Sequence, residues 1–214
     1  MKLCTIAKIE NDFSEKFGIP RQSGLAKELK SKIVFEPEFA REEAIRGLEE
    51  FSHIWLIWGF SESKGWSPTV RPPRLGGNKR MGVFATRSPF RPNPLGLSAV
   101  KLEKVELGVL TVSGADLMNG TPIYDIKPYL PFADSYPDAW GGFAETVKDN
   151  QLKVLFEEEG NLSEKQKRVL TEILEQDPRP SYQNDPHRTY AFSFADLTIK
   201  FSVCDGILTV KSVT

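Results

Sequence analysis

Short apolar stretches separated by Gly and Pro run along the whole chain, and most of them show the two-residue period of a β-strand. The stretches "LCTIAKIE" (3–10) and "LTVSGADLM" (110–118) alternate, whereas "SHIWLIWGF" (52–60) is a continuous apolar run suited to a strand buried on both faces. Further strands are predicted over "MGVFAT" (81–86), "LSAVKLEKVEL" (97–107), "TPIYDIKPYL" (121–130), "AFSFADLTIKFSV" (191–203) and "GILTVKS" (206–212). The pattern therefore predicts a mainly β protein, built as a barrel or a sandwich.

One segment near the C-terminus has a helical pattern instead. Ser163 and Gln166 have the spacing of a capping box, and "DPRP" (177–180) ends the segment. Between them an apolar stripe comprises Val169, Leu170, Ile173 and Leu174. A shorter helical turn is predicted over "PEFAREEAIRGLEE" (37–50). Gly, Pro and Asp interrupt the pattern in "YPDAWGGFAETVKDN" (136–150), which predicts one domain over residues 1–140 and a smaller one over residues 150–214.

The composition is that of a globular protein, since 40% of the residues are hydrophobic and 27% are charged. The two cysteines, Cys4 and Cys204, lie near opposite ends of the chain without C-x-x-C spacing, which favours a reducing compartment. The first residues lack the apolar segment of a signal peptide, and no run approaches the roughly 18 apolar residues of a membrane span. We therefore expect a cytoplasmic protein without a membrane segment.

The charges are distributed unevenly, although the formal net charge is only −1. No Asp or Glu occurs between Glu62 and Glu103, and the chain outside this interval carries a net charge of −9. The interval holds eight basic residues: Lys64, Arg71, Arg74, Lys79, Arg80, Arg87, Arg91 and Lys101. Such segregation predicts a surface for a polyanion or an anionic ligand. The alternative is a solvated basic face that pairs with the acidic part of the same fold.

Three prolines make a rigid, irregular loop of "RSPFRPNP" (87–94). Proline fixes its own φ and biases the preceding residue toward extended backbone, so the loop places Arg87 and Arg91 at small entropic cost on binding. Each guanidinium can grip a carboxylate or a phosphate with two hydrogen bonds. The alternative is a proline-rich cover over a barrel end, whose arginines reach backbone carbonyls.

The sequence offers little for several common kinds of site. His53 and His187 are its only histidines, so a zinc cluster or a Ser-His-Asp triad is disfavoured, and we expect no metal site. No P-loop motif occurs, and the glycines of "RLGGNKRMG" (74–82) do not open a helix after a strand. Neither a P-loop nor a Rossmann nucleotide site is indicated.

Six motifs, spread in order over nearly the whole chain, resemble the TrmO family, also called the TsaA-like or YaeB family. They are "PRQSG" (20–24), "RGLEEFSHIWLIWGF" (46–60), "RPPRLGG" (71–77), "MGVFATRSPFRPNPLGLS" (81–98), "NGTPIYDIKPYLPFAD" (119–134) and "DPRPSY" (177–182). The resemblance implies an S-adenosylmethionine-dependent tRNA methyltransferase that modifies the exocyclic nitrogen of threonylcarbamoyladenosine, next to the anticodon of certain threonine tRNAs. It also implies a homodimer with a non-Rossmann β-barrel domain and a small α+β C-terminal domain.

Carried over onto matching positions, the resemblance implies two sets of site residues. The donor-binding set comprises Pro20, Arg21, Gln22, Ser61, Glu62, Arg87, Leu97, Leu117, Met118, Asn119 and Gly120. Three further motif positions, Asn93, Lys127 and Tyr129, are expected to contact the substrate. The chain departs from the family at Ser61 and Glu62, where relatives often carry His-Gln, so the motif does not support a specific side-chain contact there.

A single-stranded anticodon loop offers splayed bases and phosphates, which proteins bind with basic residues and aromatic faces. The residues expected to meet this need are Arg71, Arg74, Lys79, Arg80 and Arg91, with Arg179 and Tyr182 of "DPRPSY" extending the surface. Trp66 and Phe90 lie nearby in the sequence, and a core position is an equal alternative for both.

The implied acceptor is a ureido nitrogen, which is a poor nucleophile until its proton leaves. Asp125 is the candidate base, and the alternative is a structural Asp that pairs with Lys127 at a strand end. For the donor carboxylate, a guanidinium such as that of Arg21 or Arg87 is the expected partner. Two other functions stay open from the residues alone: a non-catalytic RNA- or nucleotide-binding module, and a methyltransferase with another acceptor.

Overall fold

The computed structural model describes residues 2–72, 79–147, 151–179 and 185–214. Six strands form a closed antiparallel barrel in the order β1-β2-β7-β6-β3-β8. They are β1 (Ala7–Glu10), β2 (Lys30–Phe35), β3 (His53–Gly59), β6 (Leu95–Glu106), β7 (Val109–Ser113) and β8 (Pro122–Pro128). A two-stranded ribbon of β4 (Thr69–Val70) and β5 (Met81–Gly82) lies between β3 and β6 in the chain. This architecture confirms the prediction of a mainly β, barrel-containing fold.

A second, four-stranded sheet follows the barrel in the chain, in the order β10-β11-β12-β9. Its strands are β9 (Lys153–Phe156), β10 (Tyr190–Phe194), β11 (Leu197–Cys204) and β12 (Ile207–Val213), and the β12–β9 pair is parallel. The three α-helices of the described residues are α1 (Glu42–Ile45), α2 (Pro131–Asp134) and α3 (Glu164–Glu175). Short 3-10 turns cover Leu48–Glu50, Val83–Ala85 and Gly142–Val147. None of the helices in the described part of the chain is long and apolar enough to cross a membrane.

Local sequence signals explain where several elements begin and end. The capping box of α3 forms as predicted, with the Ser163 hydroxyl accepting from the Gln166 amide and the Gln166 side chain accepting from the Ser163 amide. The helical turn predicted over residues 37–50 is present as α1 and the 3-10 turn after it. The strand predicted over "MGVFAT" is wrong beyond Gly82. From Val83 the chain turns as a 3-10 helix.

Strand β3 is buried mainly on one face, not on both as its apolar run predicts. Ile54, Leu56 and Trp58 point into the barrel, whereas Trp55 and Ile57 are half-buried on its outer wall. Barrel closure explains the difference, because a strand in a closed barrel has one inner and one outer face. The inner face joins Ile9, Ile33, Val100, Leu110 and Ile123 from the other strands in one core.

The segment between β1 and β2 connects the two cores. Residues 11–29 leave the barrel and pack against the second sheet, where Phe13, Ala26 and Leu29 join the core formed by α3 and β10–β12. Gly18, at φ 95°, lies so close to the Phe192 ring that a Cβ there would overlap it. The division at residues 1–140 and 150–214 stays a prediction, since the second core takes side chains from both sides of it.

Candidate functional site

Three loops meet at one end of the barrel and bring together many of the predicted residues. The loop after residue 20 is tied to the loop after β7, because the Gly24 amide donates to the Gly114 carbonyl at 2.8 Å. Gly114 has φ 77°, and a Cβ there would lie 3.2 Å from the Gly24 backbone, so this close approach requires glycine. The third loop, residues 83–94, reaches the first through a side-chain bond.

Arg87 and Gln22 form that bond: Nη1 of Arg87 donates to Oε1 of Gln22. The side-chain nitrogen of Gln22, Nε2, in turn donates to the Arg21 carbonyl at 2.6 Å. Arg87 itself is exposed, so its guanidinium remains accessible to solvent while one nitrogen is oriented by the amide. The predicted donor-binding residues Gln22 and Arg87, 65 positions apart, are therefore in direct contact.

A carboxylate that sequence reasoning missed lies beside this pair. Asp116 accepts a hydrogen bond from the Ser98 hydroxyl at 2.6 Å, and Ser98 in turn accepts from the Trp58 indole nitrogen at 2.9 Å. Desolvation raises the pKa of Asp116, while the Ser98 hydroxyl and the charge of Arg87 act in the opposite direction. The signal in the sequence is an acid three residues after the end of the apolar β7 strand, in "TVSGAD".

A groove of about 400 Å³ continues the site on the outer side of the barrel end. Two predicted residues, Ser61 and Asn93, line it together with Leu3, Gly59, Phe60, Pro94, Leu95 and Tyr124. Phe60 packs edge-on against Trp58 at a centroid distance of 4.3 Å, and Trp58 is the residue bonded to Ser98. Phe60, which lines the groove, therefore contacts the tryptophan that bonds to Ser98 in the Asp116 cluster.

The loop of residues 117–120 is held by hydrogen bonds to Ile9 and Asn11 at the end of β1. The Asn11 side chain donates to the Leu117 carbonyl at 2.8 Å, and the Asn119 side chain accepts from the Asn11 amide at 3.2 Å. The Gly120 amide donates to Ile9 at 2.8 Å, and the Met118 carbonyl accepts from Thr121. Leu117 is buried, whereas Asn119 and Gly120 are exposed at the rim.

Arg91 stabilises the proline loop from within. Its Nη1 donates to the carbonyls of Val83 at 3.1 Å and Thr86 at 2.8 Å, and its guanidinium lies 5.6 Å from the Phe84 ring centroid. This arrangement corresponds to the alternative in which loop arginines reach backbone carbonyls. A tRNA contact by Arg91 stays a prediction.

Arg21 and Arg179 meet in a similar internal role. Nη2 of Arg21 donates to the Asp177 and Arg179 carbonyls at 3.0 and 2.5 Å, and Pro20 beside it is buried. Arg179 is 8% exposed and binds the Asp177 carboxylate with Nε and Nη2 at 2.8 and 3.0 Å. The structure therefore does not present the Arg179 side chain on an open surface.

Leu97 and Asp125 lie on the outer barrel wall, on either side of β3. Ile57 pairs with both residues, which places their Cα atoms two strand spacings apart, about 10 Å. Asp125 forms an ion pair with Lys127 at 3.0 Å and accepts from the Ile126 amide at 2.9 Å. The pair is the structural alternative that the sequence left open for Asp125.

The other predicted residues are scattered. Tyr129 lies at the far end of β8, where its ring is 5.4 Å from that of Trp55 and its amide donates to the His53 carbonyl. Those on the surface are Glu62, Arg71, Lys79 and Arg80, and Nη1 of Arg80 donates to the Thr69 hydroxyl at 3.1 Å. Arg74 and Tyr182 lie outside the described residues. Within the described ranges, no three His, Cys, Asp or Glu side chains come together to bind a metal ion.

The fold and the site define a class: an antiparallel β-barrel protein with a guanidinium and a recessed carboxylate at one barrel end, unrelated to doubly wound nucleotide-binding folds. Two family models match the chain, the tRNA-methyltransferase O N-terminal domain over residues 8–135 and the TrmO C-terminal domain over residues 149–214. The chain belongs to the TrmO family.

Individual relatives agree with this assignment. A tRNA (adenine(37)-N6)-methyltransferase of Escherichia coli K12 is 44% identical, covering 94% of this chain and 92% of its own. A Pseudomonas aeruginosa protein with the provisional name of S-adenosylmethionine-dependent methyltransferase is 42% identical, covering 91% of this chain and 89% of its own. The crystal structure of TrmO from Pseudomonas aeruginosa superimposes with a TM-score of 0.80 at 32% identity, over 100% of this chain and 98% of that one.

Proposed function

We propose that this chain is an S-adenosylmethionine-dependent tRNA methyltransferase that methylates the exocyclic nitrogen of threonylcarbamoyladenosine next to the anticodon of threonine tRNAs. The relatives' names and the family match over both parts of the chain support the proposal. The observation that carries it is the meeting of Arg87, Gln22 and Asp116 at one barrel end.

The donor set fits the chemistry of S-adenosylmethionine, which combines a carboxylate with cationic ammonium and sulfonium groups. Arg87 supplies an accessible guanidinium for a carboxylate, and Asp116 supplies a carboxylate for a cation. The 400 Å³ groove lies within the range of small-molecule sites, and Phe60 and Leu95 give it the apolar walls that an adenine needs. When bound, S-adenosylmethionine supplies an electrophilic methyl group. The remaining predicted donor contacts, at Pro20, Arg21, Gln22, Ser61, Glu62, Leu97 and residues 117–120, are part of the proposal.

The rate derives from positioning more than from strong acid or base catalysis. We retain Asp125 as the proposed proton acceptor because it lies on the same wall as Leu97, separated by one strand. Lys127 pairs with it at 3.0 Å, so Asp125 must exchange this partner for the acceptor nitrogen before it can take a proton.

The anticodon loop is proposed to bind the basic stretch that follows β3. Arg71, Lys79 and Arg80 are exposed there, and Trp66 and Phe84 expose 58% and 74% of their surface. Basic side chains interleaved with exposed rings match the phosphates and splayed bases of single-stranded RNA. Roles for Arg74, Arg91, Asn93, Lys127, Tyr129, Arg179 and Tyr182 in substrate binding remain proposals alongside these.

Assembly and location are also proposed. A homodimer is proposed from the family resemblance, and light scattering of the purified protein tests this. The two unpaired, exposed cysteines, Cys4 and Cys204, suit the reducing cytoplasm, where the tRNA substrate is found. We propose the division into a donor-binding barrel domain (1–140) and a C-terminal domain (150–214).

The decisive experiment incubates the purified protein with S-adenosylmethionine and tRNA bearing threonylcarbamoyladenosine, and weighs the digested nucleosides by mass spectrometry. A nucleoside one methyl heavier, absent with unmodified tRNA, is expected. The Arg87→Ala variant is expected to lose donor affinity about tenfold by calorimetry, whereas Arg41→Ala, an exposed arginine whose Nε donates to the Glu38 carbonyl, serves as the matched control. Donor binding without any methylated nucleoside would instead support a binding module or another acceptor.

A further inference from the structure

The segment that carries Pro20–Gln22 packs its apolar side chains into the core of the second sheet, while the Gly24 amide bonds it to the Gly114 loop of the barrel. Phe13, Ala26 and Leu29 pack into the core with α3 and β10–β12, and Gly18 lies against Phe192. The proposed donor-binding loop therefore takes its position from the C-terminal part of the chain as well as from the barrel.

One turn of that C-terminal part contacts the loop directly. After α3 the chain turns at Asp177, which has φ 48° and closes on the Leu174 carbonyl at 3.1 Å. The Asp177 carboxylate accepts three bonds from Arg179: from its amide at 3.2 Å, from Nε at 2.8 Å and from Nη2 at 3.0 Å. This bonding turns the carbonyls of Asp177 and Arg179 toward Arg21, which donates to both at 3.0 and 2.5 Å.

The contact continues from Arg21 into the site. Gln22 donates to the Arg21 carbonyl at 2.6 Å and accepts from Arg87, so each bond orients the next. Both carbonyls accept from the same nitrogen of Arg21, Nη2, whose two hydrogens are fixed in the guanidinium plane, whereas a lysine ammonium rotates freely.

We propose that the Asp177–Arg179 turn is a positioning element for donor binding, acting through Arg21 and Gln22 on Arg87 without touching the donor. The inference rests on the proposed function, because it assigns Arg87 to the donor. It differs from the sequence prediction for Arg179, which assigned it to a surface that binds tRNA.

The two roles for Arg179 give different kinetic signatures. A positioning residue changes the dissociation constant and KM for S-adenosylmethionine and leaves the KM for tRNA within about twofold. A residue that pairs with a tRNA phosphate raises the KM for tRNA and lowers the salt dependence of tRNA binding, with donor affinity unchanged.

The test compares Arg179→Ala, Arg179→Lys and Asp177→Asn with Arg168→Ala, a control that removes an exposed arginine of α3 whose nearest acid is 3.9 Å away. Calorimetry with S-adenosylmethionine is expected to show about tenfold weaker binding for Arg179→Ala, a smaller loss for Arg179→Lys, and none for Arg168→Ala. Titrations are run at a temperature well below the thermal unfolding midpoint of each variant, so that a loss of global stability does not appear as a loss of affinity.

A double-mutant cycle with Arg21→Lys completes the test. If the turn acts through Arg21, the combined loss in Arg21→Lys/Arg179→Ala is clearly smaller than the product of the single losses. Unchanged donor affinity in folded Arg179→Lys and Arg179→Ala, or multiplicative losses in the cycle, would overturn the positioning role. Failure of the wild-type protein to bind the donor would instead overturn the proposed function on which it rests.

Discussion

Replacing Asp116 by asparagine separates stability from donor binding at the proposed site. Asn keeps a side-chain oxygen for the Ser98 hydroxyl, so the bond chain from Trp58 survives with a neutral acceptor. A neutral hydrogen bond is weaker than a charge-assisted one by about 1 kcal/mol, and the removed desolvation of the carboxylate offsets this loss. We therefore expect the free energy of unfolding at neutral pH to change by no more than about 1 kcal/mol.

The pKa of Asp116 determines how the stability difference between Asp116→Asn and wild type changes with pH. Desolvation raises the pKa of Asp116 in the folded protein above its unfolded value. Between the two values the folded state binds more protons, so the contribution of Asp116 to stability falls as pH rises through this interval. Asn does not titrate, so the stability of the variant relative to wild type should increase from acid pH toward neutrality.

The Asp116→Asn variant should bind the donor more weakly, although its stability relative to wild type rises toward neutral pH. If the carboxylate faces the cationic part of S-adenosylmethionine, its loss removes a charged interaction and weakens binding about tenfold or more. Urea unfolding between pH 4 and 8 measures the first effect and calorimetry the second, with exposed Asp138→Asn as control. Unchanged donor affinity, or a variant whose relative stability decreases with rising pH, would refute the reasoning.

Three further predictions address the tRNA surface, the base and the barrel end. Lys79→Ala/Arg80→Ala should weaken tRNA binding and make its salt dependence shallower, with donor affinity unchanged; an unaltered salt slope in filter binding would contradict this. Asp125→Asn should lower kcat for methyl transfer at least tenfold with little change in donor affinity, and a normal single-turnover rate would exclude the base role. Gly96→Ala would drive a Cβ into the Trp58 ring, so urea unfolding should show a loss of about 1–3 kcal/mol; a loss below about 0.5 kcal/mol would show that the ring can move aside.

The sequence predicts best what depends on neighbours in the chain. The capping box at Ser163 involves a partner three residues away, and the helix begins where the motif places it. The strand predicted over "MGVFAT" is wrong beyond Gly82 because a more distant residue determines the backbone there. Arg91, eight residues further on, donates to the Val83 carbonyl. The two-residue period of a sequence does not reveal such a bond.

Asp116 was missed because its partners are distant in sequence. Ser98 is 18 positions away, and Trp58 is a further 40 positions from Ser98, so only barrel closure brings the three together. The alternating pattern of residues 110–118 places the carboxylate within a predicted strand. An acid that follows a buried strand after a short Gly-Ala connection is the kind of local conflict that marks a functional position.

The arginines show what separates a binding residue from a structural one. Arg21, Arg91 and Arg179 belong to motifs that suggest anion binding. In the structure, however, each donates hydrogen bonds to backbone carbonyls or to a neighbouring acid. Arg87 differs because it bonds to the side-chain amide of Gln22 while the residue stays exposed. Residue type and proline-rich context cannot make this distinction, since it depends on which carbonyls the folded chain brings within reach. In the proposed function the internal arginines act on the same site, because they fix the loops that position Arg87.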